Sequence, residues 1–271
     1  MRHGGKLWLA AALALLGGAS APAADRPSGY LADGDFDVTQ VLEPAPRRGD
    51  PRFETDRKIF RATRRLIGSP RWDMATRDAE TGAKALLRDF SCSVGVVLSE
   101  DDAPSLLHVL QRAGADTGRQ TSHAKDVYRR NRPFTIDSGK ICQPQSELYD
   151  QKAKRISYDY PSGHTTRGWT WALILTTLAP DRARQILERG RAYGDSRFIC
   201  GAHNESAVEA GMLSASATMA VVATKADYQA DIAAARAELA RLRATGPKPE
   251  GCAAEEALVR QRVMPRLDSG R

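Results

Sequence analysis

Tyr160-Pro-Ser-Gly-His-Thr-Thr-Arg-Gly-Trp-Thr-Trp-Ala-Leu-Ile-Leu-Thr-Thr-Leu178 is the stretch that decides the fold. From Gly163 onward it reads as a helix, with Trp169, Trp171, Ala172, Leu173 and Leu175 spread nearly all round the axis. A helix apolar on every side must be buried among other helices. Ser162 and Gly163 stand just before it, so the positive end of a buried helix is offered to an anion there.

The text on either side supplies the other helices. Toward the C-terminus, Pro180 to Tyr193 is amphipathic, with Ile186 and Leu187 among Arg and Glu. Ser206 to Thr224 is rich in Ala, Gly and Ser, which suits close helix packing, and Ala226 to Arg243 has the Ala/Glu/Arg/Leu make-up of an exposed amphipathic helix. Toward the N-terminus, a helix over Ala124 to Arg130 must stop before Pro133. Ser99 with Glu100, Asp101 and Asp102 opens a helix carrying Leu106, Leu107, Val109 and Leu110. Ser69-Pro70 reads as an N-cap followed by proline at the first helical position, opening a helix through Trp72, Met74 and Ala75. Asp50 to Leu66 places Phe53, Ile59, Phe60 and Leu66 between basic residues. Strand-type alternation is nowhere sustained and no internal repeat occurs. The expectation is one all-α domain over 49–245, a multi-helix bundle. It is flanked by a Pro/Gly/Asp-rich extended arm (25–48) and a tail (246–271), both weakly packed.

The first 24 residues read as a secretory signal peptide. Arg2, His3 and Lys6 precede the apolar run Leu7 to Leu16, and small residues follow to Ala21-Pro22-Ala23-Ala24. The apolar run falls short of the about 20 residues needed to span a bilayer. Cleavage is expected after Ala23 or Ala24, leaving a soluble protein in the periplasm or outside the cell. Of 40 Lys+Arg, 38 remain after loss of Arg2 and Lys6, against 33 Asp+Glu, and no run of five like charges concentrates the excess. A nucleic-acid binder gathers its charge on one face or tail, so nucleic acid is not an expected partner. Cys92, Cys142, Cys200 and Cys252 form an even set in an exported chain, which implies two disulfides with three possible connectivities. No CxxC pair or His/Cys cluster suggests zinc.

Three segments carry chemistry: Lys125 followed after six residues by Arg132-Pro133; Pro161-Ser162-Gly163-His164; and Ser196-Arg197 followed after five residues by His203. A phosphoryl group in flight spreads negative charge over its equatorial oxygens, which fixed Lys and Arg donors stabilise. Lys125 offers a point charge, while Arg132 and Arg197 offer planar forks matched to phosphate oxygens. Gly163 permits close backbone approach.

In these segments, with Ala124-Lys125-Asp126, Arg132-Pro133-Phe134, Tyr160 to Thr165 and Ser196 to Gly201 around them, the chain resembles the type 2 phosphatidic acid phosphatase superfamily. Within it the chain looks like the class A bacterial non-specific acid phosphatases, from about residue 50 to about 243. The resemblance implies an all-α fold of the acid phosphatase/vanadium haloperoxidase type that hydrolyses phosphate monoesters with broad specificity, with phosphotransfer as a side activity. It implies His203 as the nucleophile that forms a phosphohistidine. It implies His164 as the acid that protonates the leaving alkoxide and then the base that activates water. Lys125, Arg132, Ser162, Gly163 and Arg197 would bind phosphate, with no metal and no cofactor. Expected partners are nucleotides and sugar or aryl phosphates, with no membrane after signal cleavage; a homo-oligomer is left open. Cys142 and Cys200 flank this pocket, so they are expected to pair, leaving Cys92 for Cys252. His108 and His123 lie outside the motifs. Tyr158, Asp159 and Tyr160 precede the second motif as candidates for the pocket rim.

One position departs from the pattern. The third motif normally ends in Asp four residues after the histidine, where this chain has Ala207. A carboxylate there would hold the second ring nitrogen of His203. Either another acceptor, most simply a backbone carbonyl, replaces it, or activity is reduced. If the vacancy is open, Ala207→Asp should raise kcat about tenfold, roughly 1.4 kcal/mol. The rival readings are a vanadium-dependent haloperoxidase using the same pocket and a weakly active or inactive phosphate-binding relative. A lipid-phosphate substrate has no membrane helix to support it.

Overall fold

The computed structural model describes Met1 and residues 28–266; apart from Met1, the segment read as a signal peptide lies outside the described residues. Nine α-helices occur among them: α1 (Pro51–Thr63), α2 (Pro70–Arg77), α3 (Ala83–Val94), α4 (Pro104–Tyr128), α5 (Gly163–Leu178), α6 (Ala183–Cys200), α7 (Glu205–Val222), α8 (Ala226–Thr245) and α9 (Cys252–Arg260). A two-stranded antiparallel ribbon, β1 (Tyr149–Asp150) with β2 (Arg155–Ile156), is the single sheet among the described residues. The fold is all-α.

Helix α5 is the centre, packed against α4, α6, α7 and α8. Trp171, Ala172, Ile174 and Leu175 are all buried. Ser162 caps it by accepting from Thr165 N. Glycines set the distance to α6: a Cβ on Gly168 would lie 2.3 Å from Tyr193 Cδ1, and one on Gly190 would lie 2.5 Å from Ala172 Cβ. Any side chain at either position would push the two helices apart.

The N-cap at Ser69 with Pro70 behind it forms as the sequence indicates, Ser69 Oγ accepting from Trp72 N at 3.3 Å. Other boundaries differ. The residues from Ser99 to Asp102 form a turn, Ser99 Oγ donating to Asp102 Oδ2, and the helix begins only at Pro104. Its first amides, Ser105 N and Leu106 N, donate to the Glu238 carboxylate on α8 at 3.1 and 2.8 Å. A cap borrowed from 132 residues away leaves no local signature. The helix expected over 124–130 is the last turn of this same 25-residue rod, which ends where Arg129 takes φ +50°. Helix α3, unassigned from sequence, buries Leu86, Leu87, Phe90 and Val94 and ends at Gly95. Helix α6 runs on to Cys200, because the residues from Ala192 onward are buried on all sides and show no amphipathic period.

Among the described residues, neither end is weakly packed. The arm is extended, but Tyr30, Leu31, Val38, Leu42 and Ala45 are buried. Its backbone amides use α4 as a partner: Tyr30 N and Leu31 N donate to Asp116 at 2.6 and 3.2 Å, and Val38 N donates to Gln120 Oε1 at 2.9 Å. The C-terminal segment carries α9, tied to α3 by Cys92–Cys252, and buries Val259 and Val263. The second bridge is Cys142–Cys200, so both join the partners named from the sequence. No single helix among the described residues is long and apolar enough to cross a membrane.

Candidate active site

The C-terminal end of α4, the first turn of α5 and the turn between α6 and α7 converge on a cavity of about 400 Å³. Lys125, Arg132, Gly163, His164 and His203 all line it, together with Thr117, Thr121 and Arg167. Three sequence segments up to 78 residues apart therefore build one wall, which includes neither Ser162 nor Arg197.

Each side chain is held by a separate device. Lys125 lies in the last turn of α4, on the face shared with Thr117 and Thr121. Arg132 follows in extended backbone before Pro133, its fork fixed by three bonds. Nε donates to Ser157 O at 2.7 Å, Nη2 to Ser157 Oγ at 2.9 Å and Nη1 to Ala202 O at 2.7 Å. Arg197, in the last turn of α6, is fully buried. Its Nη2 donates to Gln143 Oε1 at 2.5 Å, while Nε and Nη1 have no partner among the described residues. Two adjacent buried donors of a guanidinium left unpaired are costly unless an oxyanion completes them.

Ser162 stands behind this wall. Its N–H donates to Ala207 O at 2.9 Å and its Oγ accepts from Thr165 Oγ1 at 2.9 Å. It caps α5 and ties it to α7, and Gly163 is the residue of that pair that faces the cavity.

His203 follows the left-handed Gly201 and precedes Asn204, the N-cap of α7. It therefore lies outside the helix, so position 207, four residues on, does not share a helical face with it. Arg132 Nη1 stands 2.9 Å from His203 Nε2. A guanidinium only donates, so Nε2 is the unprotonated nitrogen and Nδ1 carries the hydrogen. That Nδ1–H donates to Asp159, with the backbone O at 2.8 Å and the carboxylate Oδ1 at 3.0 Å. The anticipated backbone carbonyl is present, and a carboxylate comes with it. His164 donates Nε2–H to Ala79 O at 3.2 Å.

Burial and neighbouring positive charge set the protonation of these groups. Burial, then the charge of Arg132, lowers Lys125 to about 7. Burial, then Arg132 and Lys125, holds His203 well below its usual range. Burial, then Arg197 and His203, does the same to His164. Among the described residues no group of three or more His, Cys, Asp or Glu side chains is placed to hold a metal ion.

Residues 110–230, which hold all three motifs, match the family model of the PAP2 superfamily. An acid phosphatase of Zymomonas mobilis is 38% identical over 214 residues, covering 79% of this chain and 80% of the relative. A non-specific acid phosphatase of Salmonella typhimurium is 35% identical over 73% of this chain and 78% of its own, and one of Providencia stuartii 34% over 77% and 83%. The chain belongs to the PAP2 superfamily. It is an acid phosphatase, a phosphoric monoester hydrolase.

Sequence reasoning placed Asp159 no more closely than the rim of this acid phosphatase pocket, since its bond to His203 spans 44 residues. Gln143, which orients Arg197, went unnoticed for the same reason: a lone polar residue in a loop carries no local signal. Ala207, at the position where the motif's Asp is absent, is fully buried in an apolar cluster with Val38, Leu42, Ala124 and Tyr160. Ala207→Asp should therefore leave kcat unraised and cost stability. An unpaired buried carboxylate costs about 2 kcal/mol or more, a fall in Tm of roughly 4–8 °C. Thermal melts and kinetics of this variant check both, and a tenfold gain in kcat would show the vacancy to be open.

Proposed function

We propose that this acid phosphatase is exported and hydrolyses phosphate monoesters of broad leaving-group type through a phosphohistidine on His203. The observation that carries the reading is the tautomer. With Asp159 accepting from Nδ1–H, Nε2 is the ring nitrogen that carries the lone pair; Arg132 Nη1 donates to it, and it becomes free for phosphorus when an ester oxygen takes over that Arg132 hydrogen. In the first step Nε2 attacks phosphorus, the ester P–O bond breaks, and His164 delivers a proton to the departing oxygen. In the second, His164 takes a proton from water, the hydroxide oxygen bonds to phosphorus, and the P–N bond breaks to release phosphate. The negative charge of the bound ester offsets Lys125, Arg132 and Arg197, which otherwise disfavour the protonated ring, and lets His164 carry the proton.

Broad specificity is supported by the rest of the cavity. Beyond Lys125 its wall follows α4 through Thr121, Gly118 and Gly114. Eleven residues of helix make this a trough about 16 Å long. A Cβ on Gly114 or Gly118 would meet nothing within 4 Å, so the trough makes few demands on an alcohol's shape. The N-terminal residues that read as a signal peptide and the two disulfides support export. Purified enzyme should cleave aryl, sugar and nucleoside phosphates in excess EDTA, with vanadate inhibiting at the phosphate site. Complete loss of activity in EDTA, restored by a metal, would overturn the proposal that Lys and Arg alone supply the charge.

An acid optimum follows from the same charges. His203, held low, keeps its lone pair in acid, while Lys125 is an ammonium below about pH 7 and neutral above it. Accordingly kcat/KM should fall as pH rises through about 7, because the free enzyme loses one phosphate-binding charge. Lys125→Arg, which cannot lose its proton, should move that alkaline limb upward by about one pH unit or more. A limb at the same pH in both enzymes would assign it to another group.

A further inference from the structure

We propose that Asp159 is a positioning residue for His203, supplying from a different segment the carboxylate that the third motif lacks at Ala207. The proposal rests on the reading of His203 as nucleophile.

Asp159 is fully buried. Its backbone is pinned by Asp159 N donating to Arg130 O at 2.8 Å. Its carboxylate is clamped at both oxygens: Oδ1 accepts from His203 Nδ1–H at 3.0 Å and Asn204 N at 3.1 Å, and Oδ2 accepts from Asn204 Nδ2 at 2.8 Å. Arg130 stands 3.7 Å from Oδ2. Burial raises the Asp159 carboxyl, and Arg130 and the Asn204 amide oppose that rise. Arg130 is itself fixed, its Nη2 donating to Asp56 Oδ2 and its Nη1 to Ser206 Oγ, each at 2.7 Å. Asp56 in turn accepts from Ser206 N at 3.0 Å, in the first turn of α7. The imidazole therefore meets a carboxylate whose own position is set by α1, α7 and the end of α4.

A backbone carbonyl alone would orient the ring. A carboxylate adds charge: as Nε2 bonds to phosphorus the ring becomes cationic, and a fixed negative group at Nδ1–H favours that form. The charges that bear most on His203, those of Arg132, Lys125 and Arg197, are cationic, and Asp159 is the carboxylate in contact with the ring that becomes cationic. The interaction strengthens during bond formation, so its loss should appear in kcat and not in phosphate binding.

Asp159→Asn keeps the backbone carbonyl and the side-chain size. Its kcat on an aryl phosphate should fall about 10–100-fold, with KM and the inhibition constant of inorganic phosphate within about threefold of wild type. A residue serving only to hold Asn204 and α7 would instead shift Tm and phosphate binding together with kcat. If the Asn variant does not fold, Asp159→Ser, which also retains the carbonyl, is read in the same way. A kcat within about threefold of wild type in the folded variant removes Asp159 from the mechanism. The control is wild-type enzyme quenched in alkali after labelled substrate: label on His203 with a silent Asp159→Asn rejects Asp159 alone, whereas no label rejects the nucleophile reading beneath it.

Discussion

His203→Ala is expected to lower kcat by about five to six orders of magnitude on every phosphate ester, the scale seen when a covalent nucleophile is removed. The loss should not depend on the leaving group, because no P–N bond can form with any substrate. Phosphate binding should persist within about tenfold, since Lys125, Arg132 and Arg197 are all retained and the two guanidiniums keep their bonds to Ser157, Ala202 and Gln143 when the ring is removed. The variant also leaves the Asp159 carboxylate without one donor, but both of its oxygens keep their Asn204 partners, so the fold should survive. Steady-state kinetics and phosphate inhibition decide the matter. Residual activity above about one per cent, or a loss confined to alkyl esters, would place the nucleophile elsewhere.

His164→Ala should separate substrates that His203→Ala does not. With a sugar or other alkyl phosphate the alkoxide cannot leave unprotonated, and kcat should fall about 10²–10⁴-fold. With nitrophenyl phosphate the first step is largely spared, because the phenolate leaves without a proton. The second step still lacks its base, so phosphoenzyme should accumulate and nitrophenolate should appear in a burst. The location of His164 supports both roles: it sits in the first turn of α5, in the cavity wall with His203, its ring held by Ala79 O. Equal losses on the two substrate types with no burst would remove His164 from the leaving-group side.

What could be read from the sequence follows a physical division. Helix α5 was legible because its burial is written in its own residues, and the cap at Ser69 because a cap is a short-range bond. The motif residues were legible as a set because phosphate chemistry demands particular side chains, and the fold brings five of them to one cavity wall. The start of α4, the anchoring of the arm and the partner of His203 were not. Glu238 on Ser105 and Leu106, Asp116 on Tyr30 and Leu31, and Asp159 on His203 act across 132, 86 and 44 residues. Each is a polar side chain serving a backbone or ring donor far away in the chain, and nothing in periodicity or spacing announces it. Ser162 shows the converse: a residue whose type and place suit anion binding is already engaged in joining α5 to α7.

The most direct test is to trap the intermediate. Wild-type enzyme mixed with a labelled aryl phosphate and quenched in alkali within one turnover should carry phosphate on a single peptide, at Nε2 of His203, in an acid-labile linkage. His203→Ala treated identically should carry none. Full turnover by an enzyme that never acquires the label, or that acquires it on any other residue, would contradict the phosphohistidine mechanism.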